Sequence, residues 1–161
     1  MRGFEKVSLS EYEKRRNRSE YDNIRIPERG TLYAAGYDFY LPYALEIKPK
    51  ARAIVYTGVK AYMQPDEVLL ITIRSSAAIK HNLRLINHVA VIDCDYYDNP
   101  DNEGHIMLAL ENAGAAALNL NAGFRVAQGI FVKYLISEKE KQPGKTRTGG
   151  IGSTEKTNRS D

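Results

Sequence analysis

Hydrophobic residues recur along most of the chain in short runs separated by turn residues. The runs of Val, Ile, Leu, Tyr and Phe are spaced roughly eight to twelve residues apart, as in β-sandwiches and barrels. Apolar and more polar positions alternate over residues 106–111 and again over residues 118–121, which indicates half-buried strands. Residues 68–73 (VLLITI) are apolar on both faces, which suits a central strand or one that faces a partner subunit. The pattern predicts an all-β fold.

Two segments favour short helices instead. Ser75–His81 (SSAAIKH) starts with two possible N-cap serines and continues with good helix formers, which predicts a single short helix inside the β fold. Near the start of the chain, Ser8 and Ser10 each precede a glutamate by three residues, the pattern of a capping box. A second short helix, at the periphery, is therefore expected around residues 11–16.

Length and composition bound the domain organisation. The 161 residues, 43% of them hydrophobic, are enough for one domain with one core. Charged and polar residues dominate an N-terminal arm, about residues 1–23, and a C-terminal tail, about residues 138–161, and both are expected to project from the core. Residues 97–104 (YDNPDNEG) are too polar for a core and predict a loop between strands.

Charge and cysteine content narrow the function classes. The net charge of +3 comes from interspersed residues of both signs, which is weak evidence for nucleic-acid binding. No stretch has the apolar length of a membrane span, and the start lacks a signal-peptide pattern, so a cytoplasmic protein is expected. Cys94 is the only cysteine, which excludes an intrachain disulfide. The histidines share no metal-site spacing and are interpreted as structural or surface residues.

Three groups of polar residues are candidates for chemistry, and each has a plainer explanation. Asp93 and Asp95 follow an apolar run, where strand geometry would place both carboxylates on one face, but an Asp-rich turn has the same composition. Arg74 with the serines at 75 and 76 would suit an anion at a helix start, or an ordinary N-cap beside an arginine. Residues 147–154 (RTGGIGST) suit a phosphate-gripping flap or a plain terminus.

Taken in order, five segments resemble the motifs of the trimeric dUTPase family: AAGYDF at 34–39, IRSS at 73–76, VIDCDY at 91–96, GFRVAQ at 123–128 and RTGGIGST at 147–154. Their order and spacing are more specific than any one motif. The resemblance implies a distorted jelly roll (β-clip) with one short helix, assembled as a homotrimer whose active sites collect motifs from three subunits. It also implies hydrolysis of dUTP to dUMP and pyrophosphate, with Mg²⁺ held mainly by the substrate's phosphates and water and not directly by the protein.

The resemblance also implies roles for individual residues. Asp93 matches the general base that activates the water attacking the α-phosphorus, and Asn87 and Tyr96 match residues that recognise uracil and exclude ribose. The catalytic set that the family implies is Asp93, Arg74, Gln128 and Arg147. The substrate-binding set is Ser75, Ser76, Asn87, Ile92, Tyr96, Ile151, Gly152, Ser153 and Thr154. Supporting roles fall to Asp38, Asp95 and Arg125.

Departures from the family pattern leave the proposed catalytic groups in place. Ile151 stands where the family usually has a phenylalanine that stacks on the base, and the loop at 97–104 is extended. A dCTP deaminase shares the fold, but Ala109 and Ile79 stand where that enzyme has its proton-carrying glutamate and an arginine. The other alternative is a dUTPase-like trimer that uses the loop or arm to bind a protein partner under nucleotide control.

Overall fold

Strands make up most of the regular structure in the computed structural model, which describes residues 1–140, Gly144 and Gly149. Within those residues the strands are β1 (Gly3–Lys6), β2 (Glu28–Arg29), β3 (Tyr37–Tyr40), β4 (Leu45–Ile47), β5 (Arg52–Tyr56), β6 (Val59–Tyr62), β7 (Glu67–Ile73), β8 (Leu83–Leu85), β9 (Ala90–Asp93), β10 (Met107–Asn112), β11 (Leu118–Leu120) and β12 (Arg125–Lys133). The helices are α1 (Leu9–Glu13) and α2 (Ser75–His81), with 3₁₀ turns η1 (Arg18–Asn23) and η2 (Cys94–Tyr96).

Antiparallel pairing joins these strands into four small sheets. The largest has the order β2-β3-β12-β7-β9, and the others are β5-β10-β8, β1-β6 and β11-β4. β7 lies inside the five-stranded sheet, between β12 and β9, which confirms the central strand predicted from its apolar run. The inward faces of the sheets share one hydrophobic cluster, which includes Phe39, Leu69, Ile71 and Leu108.

Local sequence patterns located several elements correctly. In β10 the alternation holds, since Leu108 and Leu110 are fully buried while Met107, Ala109 and Glu111 are half-buried. α2 has the predicted bounds, but its N-cap is Arg74 and not a serine. The backbone of Arg74 is still extended, at φ −66° and ψ 141°, so Ser75 is already the first helical residue.

The N-terminal arm does not project from the core as expected. Ser8 caps α1 by accepting a hydrogen bond from the Glu11 backbone N–H at 3.1 Å, and α1 ends at Glu13. Val7 and Tyr12 are fully buried and belong to the same hydrophobic cluster as the sheets, so α1 is packed on the core and is not peripheral. The few apolar side chains of the N-terminal arm are scattered among charged residues, so the sequence does not reveal which face of the arm is buried.

The loop at residues 97–104 is also more buried than its polarity suggests. Asn99 and Asn102 are only 4% and 8% exposed, and the Asn99 amide donates hydrogen bonds to Asn102 and to the Tyr96 carbonyl before the loop. Among the described residues, no helix is long and apolar enough to cross a membrane.

Candidate active site

Three of the five motifs meet at one end of the five-stranded sheet. Asp38 on β3 lies opposite Gln128 on β12, and Gln128 lies opposite Thr72 on β7. Arg74 follows directly after β7. Neighbouring strands thus place motif residues that are far apart in the sequence side by side.

An ion-pair cluster forms where these strands end. Arg74 Nε lies 3.0 Å from Asp38 Oδ1, and Arg125 Nη1 lies 3.2 Å from Asp38 Oδ2. The carboxylate of Asp38 is nearly buried, whereas Arg74 is a quarter exposed and Arg125 about half. Two guanidinium groups face one carboxylate, so the cluster carries a net positive charge that favours an anion. The resemblance implied supporting roles for Asp38 and Arg125, but nothing in the sequence indicated that they pair.

A glycine makes room for Gln128. A Cβ atom at Gly36 would lie 2.7 Å from Gln128 Oε1 and 3.3 Å from its Cβ. A side chain at position 36 would therefore have to displace the glutamine amide, so the glycine leaves room for Gln128 beside β3.

The serines after Arg74 lie at the start of α2. Ser75 is exposed and Ser76 half-buried, so the Ser75 hydroxyl faces the surface beside the ion-pair cluster. Among the residues that the structure describes, the positively charged end of the sheet thus comprises Asp38, Arg74, Ser75, Arg125 and Gln128.

Asp93 lies at the opposite end of the same sheet. It pairs with Val68 near the start of β7, whereas Arg74 follows Ile73 at the end of that strand. At about 3.3 Å per residue, the six residue steps from Val68 to Arg74 separate the two positions by about 20 Å along β7. Within one chain, the structure does not bring the predicted general base to the predicted phosphate-binding residues.

The two aspartates do not share a strand face. β9 ends at Asp93, and Asp95 belongs to the 3₁₀ turn η2, so the alternation expected from a strand does not apply to this pair. Between them, burial and the adjoining carboxylates of Asp95 and Asp93 raise the pKa of the Cys94 thiol. The thiol therefore stays protonated near neutral pH and is not an activated nucleophile.

Residues assigned to base and sugar recognition flank Asp93. Asn87 is exposed in the turn between β8 and β9, and Ile92 is half-buried in β9. Tyr96 is 7% exposed, and its hydroxyl donates a hydrogen bond to the His105 carbonyl at 2.9 Å. His105 is itself buried, and its Nε2 accepts a hydrogen bond from the Gly58 N–H at 2.9 Å. Burial lowers the pKa of His105, which favours the neutral imidazole that this contact requires.

One face of the five-stranded sheet carries exposed apolar side chains between the two groups of polar residues. Val91 on β9 pairs with Leu70 on β7, which pairs with Ile130 on β12. Val91 is 58% exposed and Ile130 37% exposed. Because side chains alternate between faces, Asp93 lies on this same face as Val91, and Gln128 on the same face as Ile130.

The C-terminal motif and a possible metal site are the remaining parts of the prediction. Arg147, Ile151, Gly152, Ser153 and Thr154 lie outside the described residues. Among the described residues, no group of three or more His, Cys, Asp or Glu side chains could hold a metal ion.

The described strands pair antiparallel, and the largest sheet has a cationic end and an aspartate at its other end. These features define a β-sheet protein whose cationic end suits a phosphorylated ligand. A sequence model of the dUTPase family matches residues 22–155. The deoxyuridine 5'-triphosphate nucleotidohydrolase of Lactococcus lactis is 43% identical over 157 residues, which cover 96% of this chain and 97% of that protein. The protein of the same name from Wolinella succinogenes is 34% identical over 141 residues, 85% of this chain and 91% of its own. The chain belongs to the dUTPase family.

Solved structures agree with this assignment. The crystal structure of dUTPase from Streptococcus mutans matches with a TM-score of 0.72 and 43% identity, over 84% of this chain and 98% of that chain. A D95N mutant dUTPase from phage phi11 of S. aureus matches with a TM-score of 0.69 at 20% identity, over 88% of this chain and 95% of that chain, which shows the fold alone. The predicted all-β, dUTPase-like jelly roll is confirmed.

Proposed function

We propose that this chain hydrolyses dUTP to dUMP and pyrophosphate by attack of an Asp93-activated water on the α-phosphorus. The observation that carries the proposal is the 43% identity to a deoxyuridine 5'-triphosphate nucleotidohydrolase across nearly the whole of both chains. That relative is named for this substrate. The catalytic details rest on the match of residues to the family's motifs.

In the proposed reaction, the Asp93 carboxylate accepts a proton from water as the water oxygen bonds to the α-phosphorus. The bond from the α-phosphorus to the oxygen that bridges to the β-phosphate breaks, and pyrophosphate leaves with that oxygen. Charge develops on the phosphate oxygens, where Arg74 and Gln128 with the Ser75 hydroxyl are proposed to stabilise it. Ser76 is assigned to the same helix start.

Base and sugar selection are assigned to the segment around Asp93. Asn87 is proposed to pair with uracil, with Ile92 beside it, and Tyr96 to pack on the deoxyribose where a 2′-hydroxyl would clash. Arg147, Ser153 and Thr154 are proposed to grip the γ-phosphate, with Ile151 and Gly152 covering the base. Asp38, through its ion pairs with Arg74 and Arg125, orients the two guanidinium groups.

A homotrimer is part of the proposal because one chain separates the catalytic groups. Asp93 lies about 20 Å from Arg74 along β7, and the exposed apolar side chains of Val91 and Ile130 lie on the face between the two ends. A symmetric assembly that buries this face can bring the Asp93 end of one subunit to the cationic end of another.

Dependence on a divalent metal is general in the dUTPase family. The residues of this chain fit an ion that the substrate carries in: Asp38, the buried carboxylate of the cationic end, is already paired with two arginines. We propose Mg²⁺ held through the triphosphate and water. When bound, it would neutralise charge on the phosphate oxygens.

The first test measures product formation from dUTP, dCTP, dTTP and UTP with Mg²⁺, for the wild-type chain and for Asp93→Asn. We expect pyrophosphate from dUTP alone, and at least a hundredfold loss of kcat in Asp93→Asn, since general-base catalysis typically contributes about 10² to 10⁴. Binding of a non-hydrolysable dUTP analogue should survive in the variant. Ammonia from dCTP would indicate a deaminase, and wild-type turnover by Asp93→Asn would remove that residue from the mechanism.

A further inference from the structure

The extended loop at residues 97–104 holds the side chain of Tyr96 through a set of buried hydrogen bonds. Asn102 Nδ2 donates to the Tyr96 hydroxyl oxygen at 2.8 Å, and that hydroxyl donates to the His105 carbonyl at 2.9 Å. The phenol oxygen thus has one donor and one acceptor partner. The ring is fixed at its outer end by a residue six positions further along the chain.

A second asparagine holds Asn102 in the orientation that this contact needs. Asn99 Nδ2 donates to Asn102 Oδ1 at 2.7 Å and to the Tyr96 carbonyl at 2.8 Å. Asn102 Oδ1 also accepts from the Gly104 N–H at 3.1 Å. With its oxygen engaged by two donors, the Asn102 amide can present only its nitrogen to Tyr96.

The loop is also tied to the rest of the chain from outside. Glu103 accepts hydrogen bonds from the Ser8 backbone N–H at 2.8 Å and from the Ser8 hydroxyl at 2.5 Å. The Tyr97 hydroxyl donates to Glu5 at 2.8 Å, and Lys60 pairs with Asp98 at 2.5 Å. The N-terminal arm and β6 therefore fix the position of the loop, and the loop in turn fixes the Tyr96 side chain.

We propose that Asn102 is a positioning residue that sets sugar selectivity by locking the Tyr96 ring against the 2′ position of the substrate ribose. This inference rests on the proposed function, in which Tyr96 packs on the deoxyribose. A ring anchored only at its Cβ atom can tilt away and admit a hydroxyl group, whereas a ring anchored at both ends cannot. Rejection of an added hydroxyl by packing alone is about a hundredfold, so it depends on how rigid the packing surface is.

The test compares kcat/KM for dUTP and UTP in four proteins: wild type, Asn102→Ala, Tyr96→Phe and the double variant. We expect the dUTP-to-UTP ratio to fall about tenfold in Asn102→Ala, a part of the roughly hundredfold that packing supplies. A similar fall is expected in Tyr96→Phe, which lacks the anchored hydroxyl. Since both changes break the same contact, the double variant should have the ratio of Tyr96→Phe alone.

Two controls separate positioning from general loss of stability. Asn112→Ala removes another buried asparagine, whose Nδ2 donates to the Ile47 and Ala116 carbonyls, and should destabilise the protein without changing the dUTP-to-UTP ratio. Asn102→Leu keeps a similar side-chain volume but can neither donate to the Tyr96 hydroxyl nor accept from it. It provides the measurement if Asn102→Ala does not fold, and the same fall in the ratio is expected.

An unchanged ratio in Asn102→Ala or Asn102→Leu, with wild-type hydrolysis of dUTP intact, would overturn the inference. Additive falls in the double variant would also overturn it, since the two residues would then act separately. A wild-type protein that fails to hydrolyse dUTP would instead refute the proposed function itself.

Discussion

At the scale of single residues, Glu67 shows how one buried charge fastens the N-terminus to the central sheet. Its side chain is 3% exposed, accepts from Arg2 Nε at 3.0 Å, and accepts from the Gln64 backbone N–H at 3.1 Å. The hydrogen bond from Arg2 is the main cause that lowers the pKa of Glu67 from 4.5 to about 2. The ionised carboxylate is therefore favoured in the folded state over the unfolded state.

This lowered pKa predicts an acid-sensitive contribution to stability. Above the unfolded-state pKa the contribution of Glu67 is fully present, and it is lost as the pH falls from about 4.5 towards about 2. In Glu67→Gln, the free energy of unfolding, measured with urea at a series of pH values, should fall less steeply over that range. Glu46→Gln, at an exposed strand position, controls for the loss of an acidic residue. Parallel curves for wild type and Glu67→Gln would contradict the assignment.

At the scale of elements, the loop at residues 97–104 depends on a close backbone approach at Gly104. This glycine has φ +81°, and a Cβ atom there would lie 2.6 Å from the Tyr96 carbonyl oxygen. Gly123 before β12 has nearly the same φ, +80°, but nothing lies within 4 Å of its would-be Cβ. Comparing alanine substitutions at the two glycines therefore separates the free-energy cost of the backbone conformation from the cost of a steric clash.

We expect Gly123→Ala to lower the free energy of unfolding by about 1–2 kcal/mol, the cost of a left-handed conformation for an L-residue. Gly104→Ala should lower it by a further 1–3 kcal/mol or so, because the new methyl group meets backbone that cannot move aside as a side chain does. Urea unfolding at neutral pH gives both values. Equal losses in the two variants would mean that the loop lies further from the Tyr96 backbone than the structure has it.

The same elements show what the sequence could predict and where it failed. The bounds of α2 and the alternation in β10 depend on propensity and period, which are local, and both were predicted correctly. The docking of the arm on the loop depends on Glu103 reaching Ser8 across the fold, and nothing near either residue in the sequence signals the other. The expectation that Asp93 and Asp95 share a face failed because the strand ends between them.

At the scale of the whole molecule, motif order led to the family resemblance, but a single chain separates the residues that the motifs assign to one site. Sequence reasoning could place Asp38, Arg74 and Gln128 in motifs, and pairing of β3, β12 and β7 is what brings them together. Asp93 stays at the far end of β7. The separation follows from strand register, which no motif in the sequence reveals.

Subunit mixing tests the proposed sharing of sites. Asp93→Asn and Arg74→Gln should each be nearly inactive alone, because each lacks a group that every site needs. If Asp93 and Arg74 of one site come from different subunits, trimers formed from equal amounts of the two variants should regain about a quarter of wild-type activity, the random frequency with which both groups are intact at one site. The measurement is pyrophosphate release after the variants are unfolded together and refolded.

The control for this experiment is the double variant, with both changes on one chain, co-refolded with an equal amount of wild type. There too, a site built from two subunits receives both intact groups with a frequency of about a quarter, whereas a site built within one chain would be intact in about half of the cases. Recovery in the first mixture together with a quarter in the second therefore requires shared sites. No recovery in the first mixture, with half of the activity in the second, would mean that Asp93 reaches Arg74 within its own chain, and the separation along β7 would then have to close by a change in the fold.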